Sequence, residues 1–167
     1  DFLGLAEQSE LSSLKEISKM SLTLFGGAEG TERVIARFGN PDELGYEEEF
    51  PIKILKISPK APKFAEKLSH RDYLGSILAL GIEREVIGDI AVFDNCAYVF
   101  THERISNYII SSLESVRRTP VNVAEASEIT DGELYRTKRV RITASSERVD
   151  AIVAKIFSLS RDESSSV

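Results

Sequence analysis

The sequence predicts an α+β fold, and three observations carry that expectation. Apolar residues change period along the chain, from helical spacing to strand alternation and back. Between Pro51 and Ala124 these segments follow one another in the order β-α-β-β-α-β, that of a ferredoxin-like plait. Glycine, proline and an Asp94-Asn95 pair fall between the segments, where turns are needed. With 167 residues, 42% of them hydrophobic, the chain can hold one large domain or two small ones with real cores.

Residues 1–50 read as an N-terminal α-β-β unit. Leu5, Leu11, Leu14 and Ile17 lie in 4–19, and the last three share one face of a helix. Residues 21–25 and 33–38 read as strands joined by the Gly-rich turn 26–30. An acidic loop, 40–49, follows, with Pro41 and Gly45 as breakers.

Residues 51–127 form the plait, the architecture that RNA-recognition-motif domains share. Its first strand, 52–57, is broken by Pro59 and Pro62. A helix over 70–80 follows, with Leu74, Ile77, Leu78 and Gly81 at helical spacing. Ser69 and Asp72 make a capping-box-like pair, and Gly81 suits the C′ position, folding Ile82 back on Ile77. Residues 87–93 and 96–101 read as a hairpin around Asp94-Asn95. A second helix begins at Thr101 or His102, with Ile105, Tyr108, Ile109, Ser112, Leu113 and Val116 on its inner face. Residues 120–124 close the sheet. Tyr98 and Phe100 share one strand face, but the Gly-aromatic pattern of the classical RNA-binding plait is missing, so they read as core.

Residues 128–143 read as a polar linker, with a turn at Asp131-Gly132 and a short strand over 139–143. A last module, 144–167, opens a helix with Val149, Ile152, Val153 and Ile156 facing inward. One apolar stripe of that length cannot bury a core alone.

The net charge of −6 argues against an indiscriminate nucleic-acid binder, yet the charge is unevenly placed. Residues 1–50 hold four basic and eleven acidic side chains; 51–127 hold ten and nine; 128–167 hold seven of each. Lys53, Lys56, Lys60, Lys63, Lys67 and Arg71 face only Glu66 in their stretch, and Arg136, Lys138, Arg139 and Arg141 form a second cluster. Two basic patches on an acidic protein fit a particular nucleic-acid shape; solvated lysines are the simpler reading of any one of them. The single Cys96 excludes an intramolecular disulfide, and no Cys/His set suggests a metal site. No apolar run approaches a membrane span and no signal peptide opens the sequence, so a cytoplasmic protein without membrane contact is expected.

The segments His70-Arg71-Asp72-Tyr73-Leu74-Gly75, Leu80-Gly81-Ile82-Glu83-Arg84-Glu85 and Ile87-Gly88-Asp89-Ile90 resemble the YlmH family of bacterial RNA-binding proteins. The likeness extends to Phe25-Gly26-Gly27 and Glu32-Arg33. Ser146-Glu147-Arg148-Val149-Asp150 and Leu159-Ser160-Arg161 resemble the opening of an S4 RNA-binding domain. Such a domain continues through a second helix to a turn and strand, so 144–167 is expected to be incomplete. The resemblance implies a non-catalytic protein that binds rRNA and tRNA at the ribosomal large subunit, in rescue of stalled translation. It implies more weakly a link to cell division. No cofactor or metal is implied, and a monomer is expected.

Within that resemblance, His70 and Arg71 stand in the first turn of a helix, where backbone N–H groups favour a shared phosphate. Solvation, or pairing of Arg71 with a nearby acid, is the alternative. Lys63 and Lys67 support the same site. Arg84 is a further RNA-contact candidate, or else pairs with Asp89 to shape a turn. In the S4-like part Arg148 and Arg161 are the natural phosphate binders, supported by Lys155, with Arg139 and Arg141 just upstream. His70 and Asp72, two apart on a helix, point in different directions, and no nucleophile elbow or P-loop is present, so no catalytic residue is assigned. A protein-interaction adaptor connected with cell division, using the acidic 42–49 loop, is the competing function.

Overall fold

The structure, a computed structural model, describes residues 1–14, 17, 21–132, 134, 141–143 and 148–157. They belong to two units, Asp1–Tyr135 and Arg136–Val167. The first unit contains α1 (Leu5–Ser13), the hairpin β1 (Leu22–Phe25) and β2 (Ile35–Phe38), and a single helical turn α2 (Pro41–Leu44). It continues with β3 (Ile52–Pro59), α3 (His70–Leu78), β4 (Ile87–Val92), β5 (Ala97–His102), α4 (Glu103–Ser112), β6 (Ser115–Val116) and β7 (Thr119–Ala126). The second unit contributes α5 (Val149–Phe157).

Strands β3 to β7 form one antiparallel sheet in the order β4-β5-β3-β7-β6. Without the short β6, this is the strand order of a ferredoxin-like plait, so the α+β architecture is as expected. Alternation sorts the side chains. Leu55, Ile57, Ala97 and Val99 face α3 and α4, where they meet Tyr73, Ile77, Ile109 and Leu113. β5 is buried along nearly its whole length because both faces of the sheet are covered. On the second face Phe100 packs with Phe2 and Ile35, while Phe50, Ile52, Ile54, Ile129 and Leu134 lie around them. Tyr98 and Phe100 are therefore core, not a platform for bases: they are 1% and 0% exposed.

This covering needs two glycines. A Cβ on Gly88 would lie 2.7 Å from the Phe2 ring, and one on Gly27 would strike the Phe100 ring. Gly27 also has φ of 104°, which disfavours any other residue.

α3 starts as its sequence predicts. The Ser69 backbone N–H and hydroxyl donate to Asp72 Oδ2 at 2.8 and 2.7 Å, and the reciprocal cap bond is present. It stops near Gly81, whose φ is 81° and whose N–H donates to the Leu78 carbonyl at 3.0 Å. Ile82 and Ile77 are buried in one cluster. The inner face is Tyr73 and Ile77, an i, i+4 pair, rather than one centred on Leu74 and Leu78.

Three expectations change. α1 ends at Ser13 and buries none of its residues; Leu14 is already extended and half exposed. The Ser12 and Ser13 hydroxyls donate back to the Gln8 and Glu10 carbonyls at 2.8 and 2.7 Å, a bond that weakens helix continuation. In α4 the inner face is Ser106, Ile109 and Leu113, while Tyr108 is exposed and donates to the Leu80 carbonyl at 3.2 Å. Val116 belongs to β6, not the helix. Pro41 does not break structure: it is the first residue of α2, which the Asn40 side chain caps and Gly45 ends at φ of 77°.

Candidate nucleic-acid interface

The stretch from Ser69 to Ile90 serves two separate places. His70 and Arg71 open α3 and are exposed, whereas Arg84 lies beyond the helix's other end. A nine-residue helix puts about 13 Å between those ends. Arg84 Nη1 donates to the carbonyls of Ile87 and, at 3.4 Å, Gly88. Arg33 donates to the carbonyls of Ile87 and Phe2, both at 3.0 Å. Asp89 accepts the N–H groups of Glu32 at 2.6 Å and Arg33 at 3.3 Å. These groups bind the N-terminal segment to the turn before β4. Burial, followed by the neighbouring Arg33 guanidinium, lowers the pKa of Arg84.

The sheet face that would otherwise carry exposed aromatics is closed by a polar clasp. Tyr98 donates its hydroxyl to Asp131 Oδ2 and lies 3.0 Å from the Thr130 hydroxyl. Lys56 Nζ bridges Asp131 at 2.6 Å and sits 5.3 Å above the Tyr98 ring. The hydrogen bonds from Lys56 and then Tyr98 pull the Asp131 pKa down to about 2. Burial pushes the Cys96 thiol up to about 11, so it stays protonated at neutral pH.

Basic side chains gather instead at the end of the plait where β3 leaves the sheet. The Lys60 N–H donates to the Pro120 carbonyl at 2.9 Å, and the Glu66 N–H to the Thr119 hydroxyl at 3.3 Å. These bonds hold the 60–69 loop against the start of β7. Arg117, at the tip of the β6–β7 hairpin, reaches Asp72 at 3.5 Å and Glu66 at 4.0 Å. Its φ of 54° is a left-handed value that only the tight two-residue turn explains. The loop, the α3 N-terminus and the hairpin tip thus meet. They expose Lys60, Lys63, Lys67, His70, Arg71 and Arg118, none of which makes an ion pair among the described residues. Lys53 and Lys56, by contrast, are committed to Glu125 and Asp131.

Arg117, Arg118 and Phe64 are additions to the residues expected from sequence. Ser115-Val116-Arg117-Arg118-Thr119-Pro120-Val121 carries the signal of a two-residue hairpin, β-branched residues on either side of a basic dipeptide. Phe64 carries none, because its exposure depends on the turn that holds it.

The acidic 42–49 region lines a different feature, a cleft of about 760 Å³ between β1 and the β3–β7 edge. Glu47, Glu48, Glu49 and Glu125 face it with Phe25 and Phe50, whose rings are 5.3 Å apart. Arg37, 4.9 Å from the Phe50 ring, is held by Glu47 at 2.9 Å. Glu48 and Glu49 make no close ion pair among the described residues, although Lys53, in the same cleft, feels the charge of Glu49.

In the second unit Arg141, Arg148 and Lys155 are exposed, and Lys155 lies in the last turn of α5. Arg139 and Arg161 lie outside the described residues. Val149 and Ile156, expected to face inward, are 76% and 47% exposed. Among the described residues no group of three His, Cys, Asp or Glu could hold a metal ion. No helix among them is long and apolar enough to cross a membrane.

The model of the putative RNA-binding domain in YlmH matches residues 46–130, which include β3 through β7 and the basic end. The ribosome-associated protein quality control protein P2 of Bacillus subtilis is 26% identical over 172 residues, covering 98% of this chain and 63% of that protein. The chain thus spans under two thirds of that relative's length. The solved structure of cell division protein ylmH from Streptococcus pneumoniae matches with a TM-score of 0.58 at 25% identity, covering 75% of each chain. On the family match over half its length, the chain belongs to the YlmH family and carries that family's putative RNA-binding domain.

Proposed function

We propose that this chain is a non-catalytic RNA-binding protein of the ribosome, acting on the large subunit and tRNA during rescue of stalled translation. The observation that carries the reading is the end of the plait where Lys60, Lys63, Lys67, His70, Arg71 and Arg118 stand exposed, with no ion pair to any of them among the described residues. On a chain of net charge −6, such a local excess attracts phosphate while the remaining surface repels it. The buried Tyr98 and Phe100 argue against base stacking on the sheet, so backbone contacts dominate the proposed mode. Arg71 and the first N–H groups of α3 would share a phosphate. Arg139, Arg141, Arg148, Lys155 and Arg161 form the proposed second contact set, in the S4-like part. Arg84 contributes by holding its turn. The quality-control relative's name supports the ribosomal setting and, with it, a cytoplasmic location.

The test is co-sedimentation with large subunits. Charge reversal of Lys63, Lys67 and Arg71 together is expected to abolish it while leaving the circular dichroism spectrum and melting temperature unchanged. Undiminished co-sedimentation of a folded triple variant refutes the site.

The cleft favours a second reading, an adaptor that holds a basic protein segment against Glu48 and Glu49, in keeping with the division protein's name. Partner capture that survives nuclease and is lost in Glu48→Gln/Glu49→Gln distinguishes it from the RNA reading.

A further inference from the structure

We infer that Phe64 is a base-stacking residue, so that the basic end of the plait takes RNA with an unpaired nucleobase rather than a continuous duplex. The inference rests on the RNA-binding reading above and adds the form of RNA that the site selects. Phe64 is 87% exposed, more than any other large hydrophobic side chain among the described residues. It belongs to no core cluster, so folding gains almost nothing from its ring.

The turn that presents it is nevertheless fixed. Pro62 opens a single 3₁₀ turn over Pro62–Phe64, closed by bonds from the Phe64 N–H to the Ala61 carbonyl at 3.1 Å and from the Ala65 N–H to the Pro62 carbonyl at 3.3 Å. Beyond the turn, the Glu66 N–H is anchored to Thr119, and Leu68 packs on the main core. An exposed ring on a hydrogen-bonded backbone turn therefore stands in a loop that carries Lys60, Lys63 and Lys67 and runs into Arg71. The loop's charged side chains are Lys60, Lys63 and Lys67, with Glu66 turned to Arg117 at 4.0 Å; such cations suit phosphates and would be poorly matched to an apolar partner. An aromatic face set among phosphate-binding cations is the arrangement that holds single-stranded RNA, since every base offers a π-face while the cations follow the backbone. A base paired within an A-form stem is stacked on both sides and cannot present that face.

Fluorescence anisotropy with two RNA hairpins of equal length tests this. Both stems are closed by the same ethylene glycol linker in place of loop nucleotides; one carries an adenine-rich internal bulge and the other is fully paired. Phe64→Ala is expected to weaken binding of the bulged hairpin by about tenfold and of the paired one by less than about twofold. Phe64→Tyr and Phe64→Trp should restore bulge binding, which a loss of loop structure would not allow. Lys63→Glu/Lys67→Glu should weaken both RNAs. Equal loss on both hairpins with Phe64→Ala, or no loss on either while the lysine variant still fails, overturns the stacking role and leaves the RNA reading intact. If the lysine variant binds both hairpins normally, the RNA interface itself is wrong and the stacking role falls with it.

Discussion

Replacing Gly88 by alanine probes how the N-terminal segment is locked onto the plait, and the sign of the effect decides the matter. Gly88 does not have a left-handed φ, so the backbone accepts alanine without strain. With open space around it, the substitution would stabilise the protein by about 0.4–1 kcal/mol through the unfolded chain. The space is not open. The new methyl would lie 2.7 and 3.0 Å from two atoms of the Phe2 ring and 3.0 Å from Phe100 Cβ. Phe100 sits in β5, fully buried, and cannot yield; Phe2, 1% exposed, must. Overpacking of this kind costs about 1–3 kcal/mol. Expelling the Phe2 ring altogether forfeits at most about 3 kcal/mol of burial, which caps the loss. In a Phe2→Ala background both ring contacts are gone and only the 3.0 Å approach to Phe100 Cβ remains, so the cost of the methyl should fall by about 1 kcal/mol or more, which is the coupling expected. Urea unfolding of the four proteins, followed by circular dichroism at 222 nm, measures the cycle. A Gly88→Ala protein at least as stable as the parent, or strictly additive losses, refutes the packing argument.

Three other perturbations read single features. Asp72→Ala removes the α3 capping box and should cost about 1 kcal/mol in urea unfolding. Asp131 has its pKa depressed to about 2 in the folded protein, chiefly by Lys56. A depressed carboxylate contributes stability that is present above its ordinary range near pH 4 and lost as pH falls towards 2. The melting temperature should drop through that window, and Asp131→Asn, which lacks the titration, should show a shallower drop from a lower starting value. The Thr101 hydroxyl is fully buried without a hydrogen-bond partner among the described residues, so Thr101→Val should raise stability by about 1 kcal/mol in the same denaturation assay.

What the sequence made legible was local or periodic. The Ser69–Asp72 box, the Gly81 stop and the Asp94-Asn95 turn lie within a few residues of the backbone they shape. The strand order followed from the succession of elements and the antiparallel geometry of a plait. The phase of α4 was misread because Tyr108 is apolar enough to look buried, while Ser106 turns inward with its hydroxyl satisfied by the Glu103 carbonyl at 2.8 Å. Long-range closure was not legible. Nothing near Phe2, Ile129 or Leu134 announces that they cover Tyr98 and Phe100. Arg84 reads from sequence as an RNA contact or as a partner of Asp89 in a turn; in the structure Arg84 donates to backbone carbonyls at the joint with the N-terminal segment, where Asp89 accepts backbone N–H groups. The basic end was half legible. The lysine run is in the sequence, but its meeting with Arg118 depends on a hairpin tip fifty residues away.

The central claim is that the exposed cations of that end bind RNA phosphates, and the salt dependence of RNA affinity tests it most directly. Each neutralised phosphate contributes about 0.7–0.9 to the slope of log K against log salt. The variant Lys63→Gln/Lys67→Gln/Arg71→Gln should therefore lower the magnitude of the slope for tRNA by about 2–3, with weaker binding at every salt concentration. An unchanged slope, from a variant that remains folded, contradicts the account.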